Sequence, residues 1–458
     1  MNAENPKIRL FPPRFVVSLD EGFSPERDLF GRAPIGAGLK RLMENVDQPL
    51  VLALDGDWGS GKTTFLRFWV GELRKADIPV IYFDAFENDH ADDPFLALSG
   101  EVFELAEAAS GSGTRIAKSF AAKAAGAGKV LLRSSFKLGV KAATMGALNA
   151  ADLDEVAQEI ADEASSAFDE NVGEMITKRR ADKAVLDEFR KTLSELPHKL
   201  SSSSENETPK PLVFIIDELD RCRPVFALAL LERIKHFFSV DNVHFVLGIN
   251  SIQLENSVRA VYGQGINARQ YLQKFIHLNW QLAKRERYAS ERARSKYVSY
   301  LMNSFKFSGK DSETVQYSMA FVGAVAEQRN LSFRTIERVM AIVALAVATT
   351  PPSHLRASPL IGGLALMKVL EPELFLKSKR KRLSFQEASQ FFAFDDLKED
   401  QEHNWEWVER WWRYVTDPDA PQEMIDSMRG GLFSYSIGDR FDILSYTADT
   451  VLDDISLS

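Results

Sequence analysis

With 458 residues, 45% of them apolar and 26% charged, the chain can bury a large interior; global disorder is excluded and two to three domains are predicted. A formal net charge of -9 excludes a duplex-DNA binder built on one positive field, so any nucleic-acid contact has to come from local basic patches. Cys222 is the single cysteine, which rules out a disulfide framework and a thiolate metal site and suits a reducing compartment.

Residues 1–25 hold Pro6, Pro12, Pro13 and Pro25 and read as an irregular lead-in, with no apolar core of signal-peptide length. The run PLVLALDG at 49–56 is apolar as far as Leu54 and ends in glycine, after which Phe65, Leu66, Trp69 and Leu73 recur at helical spacing. That pattern predicts a strand, a tight loop and a helix. PVIYFDAF at 79–86 is a second buried strand, and VFIID at 213–217 and VHFVLGIN at 243–250 are two more. Leu228, Leu231, Ile234 and Phe237 mark a helix between the last two. Strands alternating with helices predict an α/β fold, a parallel sheet covered on both faces, built from residues 26–100 and 205–283.

Residues 101–204 are far more than one crossover needs, and their Ala-, Glu-, Lys- and Leu-rich, proline-poor composition predicts a helical insertion. It ends in the tract Ser201–Ser204, a flexible return linker. Beyond residue 283 only helical patterns remain, predicting a helical domain at 284–376 and a C-terminal helical region at 377–458. No stretch reaches the roughly 20 apolar residues that span a bilayer, so a cytoplasmic protein is expected.

Gly56-Asp57-Trp58-Gly59-Ser60-Gly61-Lys62-Thr63 fits the GxxxxGK[ST] phosphate loop at every fixed position, between a strand and a helix. Glycines there let backbone amides turn toward phosphate oxygens, and the helix that follows adds the positive end of its dipole. Lys62 would reach the β- and γ-phosphates, and the Thr63 hydroxyl would hold Mg2+. An accidental glycine turn is the bland alternative; the flanking strand and helix argue against it.

VFIIDELD places Asp217 at a strand end, where it would hold Mg2+ through water, and Glu218 next to it, where it would orient or deprotonate the attacking water. Read alone, DELDR could equally be an acidic cap on the next helix. Two readings of Asn250 stand side by side: a polar strand tip that senses the γ-phosphate, or an asparagine that starts a loop.

With these residues in place, the chain resembles the KAP family of P-loop NTPases over roughly residues 26–375. Asp28-Leu29-Phe30-Gly31-Arg32 is similar to the motif ahead of the family's first strand, and Gly56 through Thr64 to its tryptophan-containing Walker A loop. Phe83-Asp84-Ala85-Phe86-Glu87-Asn88 is similar to its second-strand motif, with Phe86 where tryptophan is common. Asp217 through Cys222 resembles its extended Walker B, Tyr271-Leu272-Gln273-Lys274-Phe275 its YLxK segment, and Ser332 through Arg338 its helical-domain arginine motif. The resemblance implies an additional-strand P-loop fold with ATP as the favoured nucleotide. Bacterial members are associated with phage exclusion and defence, animal members with membrane signalling scaffolds. It also implies Arg334 as a lid arginine on the γ-phosphate, with Arg269 or Lys274 at a subunit boundary; ordinary surface arginines are the alternative. A homo-oligomer, or partner proteins of a defence operon, is the corresponding expectation for partners.

Many members of the family carry a transmembrane hairpin in the insertion, but here the longest uncharged apolar tract, Ala142–Ala151, is too short to span. Arg115 to Lys141 is basic without acids and Asp152 to Glu170 acidic without bases, which suits a hairpin of facing charges. Alternatively Lys129, Arg133, Lys137 and Lys141 meet nucleic acid or an anionic surface, making the protein peripheral at the inner membrane face. Lys377, Lys379, Arg380, Lys381 and Arg382 read as a solvated linker, or alternatively as a phosphate or nucleic-acid contact. Trp405, Val408, Trp412 and Val415 share a helical face suited to a small core. The expected activity is Mg2+-dependent ATP hydrolysis driving a switch; the alternative is a nucleotide-stabilised scaffold at a membrane surface with negligible turnover.

Overall fold

A computed structural model of the chain describes residues 17–91, 93–108, 113–136, 172–200, 210–282, 293–305, 307, 309–351, 353–397, 405–429, 438–453 and 455. These fall into two compact units, one of residues 17–57 and 61–282, the other of 58–60 and 293–455.

The first unit is built on five parallel strands, β1 (Leu50–Asp55), β2 (Val80–Asp84), β3 (Leu212–Asp217), β4 (Val243–Ile249) and β5 (Leu278–Gln281), in the order β2-β3-β4-β1-β5. The four apolar runs are the four expected strands. β4 lies between β1 and β3, the additional-strand arrangement. β5 was not expected: its residues, LNWQ, are half polar and sit at the sheet edge. Alternate side chains of each buried strand serve two cores. Leu50, Leu52 and Leu54 pack with Leu39 and Met43 of α1 (Ala33–Glu44) and Phe65, Trp69 and Leu73 of α2 (Lys62–Lys75). Val51 and Ala53 face the other side, with α3 (Pro94–Ala108). Burial on both faces is why these strands read as unbroken apolar runs.

The insertion is part of that second core. α4 (Gly113–Phe136) packs against α5 (Val172–Leu200), and Phe120 and Phe189 are wholly buried, in contact with each other at 5.6 Å between ring centroids. Phe189 continues to Phe95 of α3 and to Phe238, and Phe238 reaches the stacked pair Phe214 and Phe245 on β3 and β4. A Lys123–Glu188 ion pair of 3.3 Å bridges the rim. The acidic half of the expected charge hairpin, the lysines at 137 and 141, the tract 142–151 and the linker 201–204 lie outside the described residues. α6 (Pro224–Arg233) runs on into a π-helical turn, Ile234–Phe238, and α7 (Ser251–Tyr262) and α8 (Ala268–Leu272) complete the unit.

The second unit is helical: α9 (Ala293–Ser304), α10 (Gly309–Gln328), α11 (Phe333–Thr349), α12 (Ser358–Leu370), α13 (Pro372–Lys379), α14 (Phe385–Phe392), α15 (Phe394–Leu397), α16 (Glu406–Thr416), α17 (Gln422–Arg429) and α18 (Arg440–Tyr446). Trp405, Val408, Trp412 and Val415 form the expected buried stripe, and Phe392 lies 4.8 Å from Trp412 between ring centroids. The basic run at 377–382 is not a linker, and three of its lysines are paired with acids. It ends α13, and Lys377 pairs with Glu387 at 2.5 Å, Lys379 with Asp449 and Asp453 at 3.2 and 2.7 Å, and Lys381 with Asp442. No helix among the described residues is long and apolar enough to cross a membrane.

Candidate nucleotide site

All five strands run the same way, so their carboxyl ends share one edge, and Asp55, Asp84 and Asp217 stand there as the last residues of β1, β2 and β3. In open parallel sheets this edge is where ligands bind. The loop leaving β1 is tied down at once, Gly56 N–H donating to the Ile249 carbonyl at 3.1 Å. Gly59 and Gly61 adopt φ of +78° and +82°, a region strained for side-chain-bearing residues, so the glycines of the motif are required by the path of the loop. Gly61 caps α2, and its carbonyl accepts the Phe65 N–H at 3.0 Å.

Lys62, the first residue of α2, is buried and curls back into the loop, donating to the carbonyls of Gly56 at 2.5 Å and Asp57 at 3.0 Å. Burial pushes its pKa down, opposed by the charges of Asp220, Asp217 and Asp55. Asp57 and Trp58 are exposed, Ser60 and Thr64 partly buried. Trp58 to Ser60 group with the helical unit, where the Phe333 N–H donates to the Gly59 carbonyl at 3.0 Å. Arg334 follows in the first turn of α11; a Cβ on Gly59 would come within 2.9 Å of the Arg334 Cβ.

Asp217 is 1% exposed. Its Oδ1 accepts the Glu218 N–H at 2.9 Å, its Oδ2 accepts the Tyr82 hydroxyl at 3.0 Å, and the Thr63 side chain hydrogen-bonds to the same carboxylate. Burial raises the Asp217 pKa, those hydrogen bonds pull it down, and Asp84, paired with it across the strands, raises it again. Sequence reading thus named Thr63 and Asp217 and missed Tyr82, which looked like one more apolar strand residue. Across from Asp217, Gly248 of β4 leaves no room for a side chain: a Cβ there would fall 2.6 Å from Asp217 Oδ1 and from a Leu66 methyl carbon.

Glu218 adopts φ of +59° and its carboxylate pairs with the Arg221 guanidinium at 2.6 Å. Asp220, two residues on, is buried and, of the carboxylates acting on Lys62, acts most strongly. Asn250 caps α7, its Oδ1 accepting the Ile252 and Gln253 N–H groups at 3.1 and 3.2 Å; its oxygen therefore has the local role, and the amide nitrogen is the group left for any ligand. Two further residues reach the loop. Asp28 caps α1 by accepting the Arg32 and Ala33 N–H groups at 2.9 and 2.7 Å, and Arg32 donates to the Gly61 carbonyl at 3.3 Å. Arg269 and Lys274 lie exposed at and just beyond α8, with Lys274 4.9 Å from the Tyr271 ring centroid.

A triphosphate with Mg2+ suits this donor set. The loop is shaped by left-handed glycines, a lysine is held at its mouth by carbonyls alone, and a hydroxyl and a carboxylate stand in contact as hard oxygen donors. Among the described residues no three His, Cys, Asp or Glu cluster to hold a metal by themselves, so phosphate oxygens and water would have to complete its shell.

Residues 32–349 match the KAP family P-loop domain. No curated protein matches the chain in sequence. Among solved structures it is similar to the ORC2 protein of Aeropyrum pernix in its ADPNP–ADP complexes, with 11% identity, 97% of each chain covered and a TM-score of 0.35.

Proposed function

Because the chain belongs to the KAP family of P-loop domains, we propose that it binds ATP with Mg2+ and hydrolyses it to drive a conformational switch. The observation that carries this reading is the convergence of the neighbours Lys62 and Thr63 with Asp217, from a strand far along the chain, at one sheet edge. Main-chain N–H groups of the loop and the start of α2 would bind phosphate oxygens, and Lys62 would exchange the carbonyls of Gly56 and Asp57 for the β- and γ-phosphates. Thr63 and Asp217 would hold Mg2+, which neutralises charge on the phosphates when bound.

Glu218 orients the water and accepts its proton while that water's oxygen bonds to the γ-phosphorus and the bond to the leaving ADP oxygen breaks. For this it must share or leave the Arg221 guanidinium. That pairing also favours a second reading, a scaffold that binds nucleotide and turns it over negligibly. We assign the switch to bacterial phage exclusion on the family resemblance alone, and the same resemblance supports a homo-oligomer or an operon-encoded partner.

Single-turnover ATP hydrolysis separates the two readings. In Glu218→Gln the rate should fall about 100-fold or more with nucleotide binding retained. A wild type as slow as that variant would leave the scaffold in possession of the field.

A further inference from the structure

We propose that Tyr82 is a positioning residue for the cation: its hydroxyl, donating to Asp217 Oδ2 at 3.0 Å, fixes the carboxylate in the orientation that faces Thr63. The inference rests on the Mg2+–nucleotide reading above and concerns only residues around the two oxygen donors.

Asp217 is held from three directions. The Glu218 N–H takes Oδ1 at 2.9 Å, the bare backbone of Gly248 closes the β4 side, and Tyr82 takes Oδ2 from β2. Of these, only the tyrosine contact can be removed without touching the main chain. Tyr82 lies on the strand next to β3, its partner in register being Ile215, so its hydroxyl reaches diagonally forward to the strand end. Its ring is fixed in turn by Arg67, whose guanidinium carbon lies 5.2 Å from the ring centroid. Arg67 stands one turn after Thr63 on α2, so the two residues that flank the carboxylate are both referred to the same helix.

An aromatic residue present only to fill the strand would need no hydroxyl, and a hydroxyl serving only to satisfy a buried group would have no bearing on a cation. A group bonded to a metal-binding carboxylate orients it, and removing such a partner weakens metal binding by about 10-fold or more. Phenylalanine keeps the ring and its packing against Arg67 and deletes the hydroxyl, which donates to Asp217 and accepts from the Arg67 side chain.

The experiment is calorimetric titration of the full chain, wild type and Tyr82→Phe, with ADP in EDTA and with ADP in rising Mg2+. The expected result is metal-free ADP affinity within about twofold of wild type, together with an apparent Mg2+ affinity about 10-fold weaker. A tyrosine of structural importance alone would lower the melting temperature in EDTA and leave the two Mg2+ titrations superimposed, and that outcome overturns the proposal. If wild type binds no ADP under either condition, the nucleotide reading falls first and this inference with it. ADP binding that ignores Mg2+ in both proteins overturns the positioning role while leaving nucleotide binding intact.

Discussion

Asp217 shows what a single carboxylate in this position must balance. Burial and the facing Asp84 both favour its protonated form, while hydrogen bonds from Thr63, Tyr82 and Glu218 favour the charged one, and burial dominates. A raised folded-state pKa means that the native state takes up this proton at higher pH than the unfolded chain does. Ionised Asp217 therefore costs folding stability above its folded pKa, and that cost is relieved as pH falls through it. Cation binding needs the charged form and runs the opposite way. Nucleotide binding that depends on Mg2+ should weaken on acidification at a pH above the ordinary aspartate range, while metal-free binding changes less; titrations across mildly acidic pH would test this. Equal loss in the two series would remove Asp217 from the cation. Lys62 carries the mirror-image burden, an ammonium held in a partly dry loop with its pKa lowered, so phosphate is a better partner for it than the two carbonyls it now uses.

At the scale of elements, the stretch after β2 is clamped to the helix that follows β3. Asp93 accepts the Phe95 N–H at 2.9 Å near the start of α3 and forms a two-pronged bond to Arg233 near the end of α6, at 3.1 and 3.0 Å. Both partners are largely buried. Asp93→Ala strands a guanidinium and removes a helix-end acceptor, so it should lower unfolding free energy by about 2–4 kcal/mol, read from the denaturant midpoint. A change below about 0.5 kcal/mol would mean that the pair is solvated after all. Much of this layer was legible in sequence. The four apolar runs gave themselves away because both faces of each strand are buried. β5 did not, since an edge strand spelling LNWQ has no apolar run, and its alternation lasts only four residues. The phosphate loop was legible because its glycines and lysine are local. Tyr82 was not, because its partner lies 135 residues away and its own neighbours are apolar. The lysines at 377–381 failed the same test: two of them find their acids more than 60 residues downstream.

For the molecule as a whole, the aromatic contacts from Phe120 through Phe189 and Phe238 to Phe214 and Phe245 make the insertion and the sheet one packed body. Amides of α4 and α5 that lie in this core should then open with the strands in native-state hydrogen exchange, sharing the free energy seen for β3. If α4 and α5 exchange at far lower denaturant than β3, the aromatic contacts are too weak to join them. The placement of that insertion has a further outcome in time. β2 and β3 are neighbours, yet residues 85–211 separate them along the chain. At about 5–20 residues per second, a ribosome needs on the order of ten seconds to supply the second strand after finishing the first. Throughout that interval the nascent β2 has no strand partner, and its two faces have only the helices already made to pack on: α2 on one side, then α3 and the insertion on the other.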